Sequence, residues 1–126
     1  MDERKGIITF RDDEGLERGK VIKSDLFQAI EESLYAIVVL SPNYASSTWC
    51  LDELLKILHS KKVLGLQVFP IFYGIDPSDI RHRKGMFGKA FKELQEKFIQ
   101  DTMKVQEWKD ALEEIVNLSG WHSKNR

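Results

Sequence analysis

Six consecutive apolar residues, Tyr35-Ala36-Ile37-Val38-Val39-Leu40, run straight into Ser41-Pro42-Asn43 and limit the fold more than any other stretch of the chain. The run is far shorter than the ~20 residues that span a bilayer, and it lacks the polar alternation of a strand with one wet face. It therefore reads as a strand covered on both faces, as in a parallel sheet. Parallel neighbours need crossovers, and helices are written on either side. Ser24 or Asp25 opens one helix, with Leu26, Ala29, Ile30 and Leu34 at helical spacing. Leu51, Leu54, Leu55 and Leu58 form the apolar stripe of another. Gly6-Ile7-Ile8-Thr9-Phe10 is a short β-branched and aromatic strand that ends in the polar loop Arg11 to Lys20. Val68 to Tyr73 is a third strand, and Pro70 puts it at an edge or a bulge. Strand, helix, strand, helix, strand with right-handed crossovers defines an α/β layered fold.

The stretch from Ser41 to Leu58, SPNYASSTWCLDELLKIL, carries the chemistry. Helical geometry stacks Trp49 and Glu53 above one another, on the side roughly opposite the leucines. Ser46, Ser47 or Thr48 can cap the helix, and Asp52 and Glu53 near its start suit the positive end of the helix dipole. That account makes the acids structural. The functional account is that the strand-to-helix corner opens a pocket at the carboxyl end of the sheet, where open α/β sheets hold ligands. Spacing accommodates both.

Beyond the third strand, Gly74 to Gly88 reads as a long loop whose Arg81-His82-Arg83-Lys84 cluster is a solvated turn or a contact for phosphate or an acidic partner. Phe87, Phe91, Leu94 and Phe98 then repeat at helical spacing, as do Val105, Trp108, Leu112, Ile115 and Val116 in a last helix ending at Asn117 to Gly120. Both are core stripes. Gly120-Trp121-His122 begins a fourth strand. Asp12 and Asp13 past the first strand could hold a metal as in a phosphoacceptor receiver, but the second strand ends in Leu40-Ser41 with no acid to take a phosphoryl group. His59, His82 and His122 lack ligand spacing to one another or to Cys50, so no metal site is expected.

Length and composition fit this picture. The chain of 126 residues is one domain, with 42% hydrophobic and 31% charged residues. Its net charge of -1, with acids and bases interleaved, gives no footprint for nucleic acid or an anionic membrane. A single cysteine, Cys50, excludes an intramolecular disulfide and points to a reducing compartment, the cytoplasm or the nucleus. The amino-terminal MDERKG has no apolar run of the kind a signal peptide needs.

Taken together, ITFRDDEGLERGK, AIEESLYAIVVLSPNYASSTWCLDEL, VFPIFYGIDPSDIRHRKGMFGKAF and VQEWKDALEEIVNLSGWH resemble the TIR (Toll/interleukin-1 receptor) domains of plant immune receptors. The resemblance is collinear over nearly the whole chain. It implies a flavodoxin-like fold, a parallel sheet with helices on both faces, and an NAD+ glycohydrolase that cleaves the nicotinamide–ribose bond on self-association in innate immunity and cell death. NAD+ is then substrate, and no cofactor is implied. By position, Glu53 matches the family's catalytic glutamate and Trp49 the aromatic residue beside the ligand. Ser46 and Ser47 are candidate donors to ligand oxygens, and Asp12 to Val21 corresponds to the loop that lines the site. Gly85, Phe87 and Gly88 fall on a self-association surface toward other copies or other TIR-containing receptors. The alternative is a catalytically silent module that scaffolds or blocks the assembly of other TIR proteins.

The same resemblance implies truncation at both ends. The family's opening strand, of the form DVFLSFRG, and its first helix do not precede Met1, and its last helix does not follow Trp121-His122. The family's opening strand lies between those matching Gly6–Phe10 and Tyr35–Leu40. Without it, either those two strands close up, another molecule lends a strand, or the chain folds poorly alone.

Overall fold

Among the described residues three strands form a parallel sheet in the order β1 (Ile7–Phe10), β2 (Tyr35–Leu40), β3 (Gln67–Phe72). The computed structural model describes residues 7–10 and 28–118, so the predicted strand at Trp121 and the polar loop after β1 lie outside the described residues. Ile7 stands beside Tyr35 and Phe10 beside Val38, so the first two strands have closed up on each other. On its other side β2 pairs in register with β3, from Tyr35 beside Gln67 to Leu40 beside Phe72. Pro70 sits opposite Val38 on the outer strand of the described sheet, where a missing N–H costs no second ladder among the described residues.

Burial along β2 alternates, contrary to the reading of a strand covered on both faces. Ala36, Val38 and Leu40 are fully buried, Ile37 and Val39 are half-buried, and Tyr35 is exposed. On β3, Val68 and Phe72 pack toward the core while Phe69 and Ile71 are exposed. The second face is as apolar as the first but carries less cover among the described residues. Tyr35 and Phe69 lean on each other there, with ring centroids 6.1 Å apart.

The covered face carries the helices. Residues 28–31 are helical, and Ile30 is fully buried. Helix α1 (Thr48–Leu64) starts at Ser47 and stops at Gly65, whose φ of 78° is the left-handed conformation that glycine adopts without a Cβ penalty. Residues 74 to 88 hold more than a loop. Asp76 caps a short helix α2 (Pro77–Arg81), with proline at the first turn where its missing N–H is harmless, and α3 (Gly85–Lys97) begins four residues later. Helix α4 (Thr102–Leu118) completes the layer. Leu51, Leu54 and Leu58 of α1, Phe87, Phe91 and Leu94 of α3, and Val105, Trp108, Leu112, Ile115 and Val116 of α4 join the β2 residues in one core. The three predicted stripes are thus the faces that meet. No helix among the described residues is long and apolar enough to cross a membrane.

Candidate functional site

The corner at the end of β2 is built from within. After Leu40 the chain makes a 3-10 turn at Tyr44–Ser46, and Tyr44, fully buried, donates its hydroxyl to the Cys50 carbonyl at 3.2 Å. That bond ties the turn to the first turn of α1. Ser47 is the cap among the three candidates: its side chain accepts from the N–H groups of Trp49 at 3.1 Å and Cys50 at 3.4 Å. Ser46 instead donates to the Asn43 carbonyl at 2.6 Å. With all strands parallel, their carboxyl ends meet this corner, the usual ligand end of such a sheet.

Trp49 and Glu53 are a hydrogen-bonded pair, the indole N–H donating to Glu53 Oε2 at 2.5 Å. The helix starts at Thr48, so both Asp52 and Glu53 lie past its first turn. The dipole account of these acids therefore fails, because the end effect fades within one turn. Glu53 also does not sit on a surface opposite the leucines: it is 0% exposed. Cys50, Glu53, Ile57 and Ser60 form a second buried stripe beside the leucines, hidden from a hydropathy reading because two of its members are polar. Asp52, its sequence neighbour, accepts from the buried Trp108 indole at 3.1 Å and meets Lys104 Nζ at 3.1 Å. Two adjacent carboxylates thus each hold one indole, one within α1 and one across to α4.

The predicted residues do not all gather here. Trp49, Glu53, Ser46 and Ser47 share the corner, with Ser46 exposed and Trp49 half-buried. Asp12 and Val21 lie outside the described residues. Of the predicted self-association residues, Gly85 is exposed and Gly88 half-buried, but Phe87 is a core residue at 1% exposure and presents nothing to a partner. Gly88 serves the fold, since a Cβ there would lie 2.0 Å from the Arg83 carbonyl oxygen. Sequence reasoning missed the Tyr44 tie, which depends on the shape of the turn, and the Trp108–Asp52 bond, for no local spacing links residues 56 apart. No group of three or more His, Cys, Asp or Glu side chains among the described residues is placed to hold a metal ion.

The parallel sheet with its connecting helices is of the flavodoxin-like class, and the part-buried indole–carboxylate pair stands where its strands run out. Within that class the chain belongs to the TIR domain family, whose model matches residues 1–126. It is 52% identical over 119 residues to the disease resistance protein RPV1 of Vitis rotundifolia, covering 94% of this chain and 8% of that protein. It is 51% identical over 116 residues to the TMV resistance protein N of Nicotiana glutinosa, covering 92% of this chain and 10% of that one. The chain thus spans about a tenth of these relatives' length. Among solved structures it is similar to the TIR domains of the activated Roq1 resistosome that directly recognises the pathogen effector XopQ, with a TM-score of 0.73 and 46% identity over 86% of this chain and 65% of that one.

Proposed function

We propose that this TIR domain acts in plant disease-resistance signalling as an NAD+ glycohydrolase that works when self-associated, with Glu53 as the catalytic carboxylate. The observation that carries the reading is the Trp49–Glu53 pair at the carboxyl end of the sheet. The similarity to disease resistance proteins and to resistosome TIR domains supports the biological setting.

The chemistry asks little of the protein. In NAD+ the nicotinamide ring is cationic and departs from the ribose as a neutral molecule, so no general acid is required, only stabilisation of an oxocarbenium-like ribose that water then attacks. One carboxylate meets that need by accepting from the ribose hydroxyls and facing the developing positive charge. Trp49 offers a flat face for a base. Its N–H already fixes one Glu53 oxygen, which orients the carboxylate before substrate arrives. Ser47 spends its acceptor capacity on the helix, so its ligand role is confined to donating its hydroxyl proton.

Glu53 is closed to solvent, so turnover on this reading requires the corner to open for substrate, as in enzymes whose catalytic geometry forms on closure around ligand. The same burial is the observation that favours the second reading, a silent interaction module in which Glu53 only braces Trp49. Nicotinamide release from NAD+ by the concentrated, folded chain separates the two. Release abolished by Glu53→Gln supports the glycohydrolase, whereas release untouched by the substitution removes Glu53 from the reaction. A folded chain that co-assembles with other TIR domains and releases nothing is the interaction module.

A further inference from the structure

We propose that the groove between α1 and α4 receives the basic corner at the α2–α3 junction of a second copy of this chain. The proposal rests on the self-association reading above and assigns it a pair of surfaces.

The groove holds about 380 Å³ and is floored by Leu55, Leu58 and Ala111. Glu107, Asp110 and Glu114 rim it, with His59 on the α1 side. The three acids are exposed and stand at i, i+3 and i+7 on one face of α4, a spacing at which like charges repel. The ion pairs among the described residues, Lys56–Glu31 and Lys104–Asp52, use none of them. Asp110 accepts from the Gln106 amide at 2.9 Å, which offsets no charge. An apolar floor under carboxylates that no described ion pair uses suits a ligand that is apolar at its tip and cationic around it.

The chain presents such a feature elsewhere. Arg81, His82, Arg83 and Lys84 are all exposed, and Met86 stands out beside them at 67% exposure. The corner is held in shape by its backbone: the Lys84 N–H donates to the Asp79 carbonyl and the Gly88 N–H to the Lys84 carbonyl, both at 2.9 Å. Arg83 takes φ of 51°, and its carbonyl packs where a side chain at Gly88 would stand. A preformed knob loses little freedom on docking. Arg81 is committed to the fold, donating to Asn117 Oδ1 at 2.8 Å, which leaves Arg83 and Lys84 (itself within electrostatic reach of the exposed Asp76) for the rim and Met86 for the floor.

Knob and groove are different surfaces, so the contact is head-to-tail and leaves a free knob and a free groove at the two ends of every open assembly. It propagates into rings or filaments and does not stop at a closed dimer.

The test is sedimentation velocity of the 126-residue chain at low ionic strength without NAD+, with circular dichroism to confirm folding. The expected result is assembly beyond dimers, weakened by salt. Neutralising the knob (Arg83→Gln with Lys84→Gln) or the rim (Glu107→Gln with Glu114→Gln) should each weaken association about tenfold or more. An equimolar mixture of the two variants should form dimers and nothing larger, because each retains one live surface. Variants that associate like wild type, or a mixture that stays monomeric, overturn the pairing and leave self-association standing. A monomeric wild type overturns both.

Discussion

Asp52 and Glu53 occupy adjacent positions, each accepts an indole N–H, and their substitutions should behave differently. Asp52 holds the N–H of Trp108, a residue 1% exposed, so Asp52→Ala leaves a buried donor unsatisfied. It should cost about 1–3 kcal/mol in chemical denaturation. Glu53→Gln keeps an acceptor for Trp49, so it should change nicotinamide release without a comparable loss of stability. Asp76 gives a pH signature. The Ser78 backbone N–H, at 2.8 Å, is foremost in holding its carboxyl below the usual carboxylate range, with the Ser78 hydroxyl and the nearby Lys84 adding to the effect. With the folded value depressed, the cap's contribution is complete above the ordinary carboxylate range and fades as pH falls through the lower folded value. An NMR titration of the Asp76 carboxyl should place its midpoint below that of an unstructured aspartate, and Ser78→Pro, which removes the foremost donor, should move it back up. At this scale the sequence showed which side chains could meet, since Trp49 and Glu53 stack by helical geometry. It could not show that Glu53 is buried, because that depends on what packs over it.

Boundaries were legible where a local cause sets them. Ser47 ends its strand-like backbone with a side chain that binds two first-turn N–H groups, and Ser47→Ala should destabilise the chain by about 1 kcal/mol. The sequence offered Ser46, Ser47 and Thr48 equally, and only the 3-10 turn at Tyr44–Ser46 decided among them. The stretch from Gly74 to Gly88 misled in the other direction. Its glycines and proline read as punctuation, yet Asp76 and Pro77 start a helix and Gly88 lies inside one. Glycine at position 88 answers to packing, not to a turn. Gly88→Ala pushes a methyl group into the Arg83 carbonyl, so thermal unfolding should show a loss of about 1–3 kcal/mol, together with a displaced basic corner.

At the scale of the fold, stability among the described residues rests on one layer of helices against one face of the sheet. Leu112 lies fully buried in that layer, and Leu112→Ala should cost about 2–5 kcal/mol in urea denaturation. The order of the three strands, the three core stripes and the strand-to-helix corner that follows Leu40 were determined by the sequence alone. Each follows from local geometry, from periodicity along one element or from a residue whose backbone chemistry admits few placements. Three things were decided only by the tertiary structure: the direct pairing of β1 with β2, the unequal cover of the two sheet faces, and the burial of Glu53. All three depend on which surfaces come together across long separations in the chain. An apolar residue states that it favours burial, but its partner is chosen by the shape of everything else that folds around it.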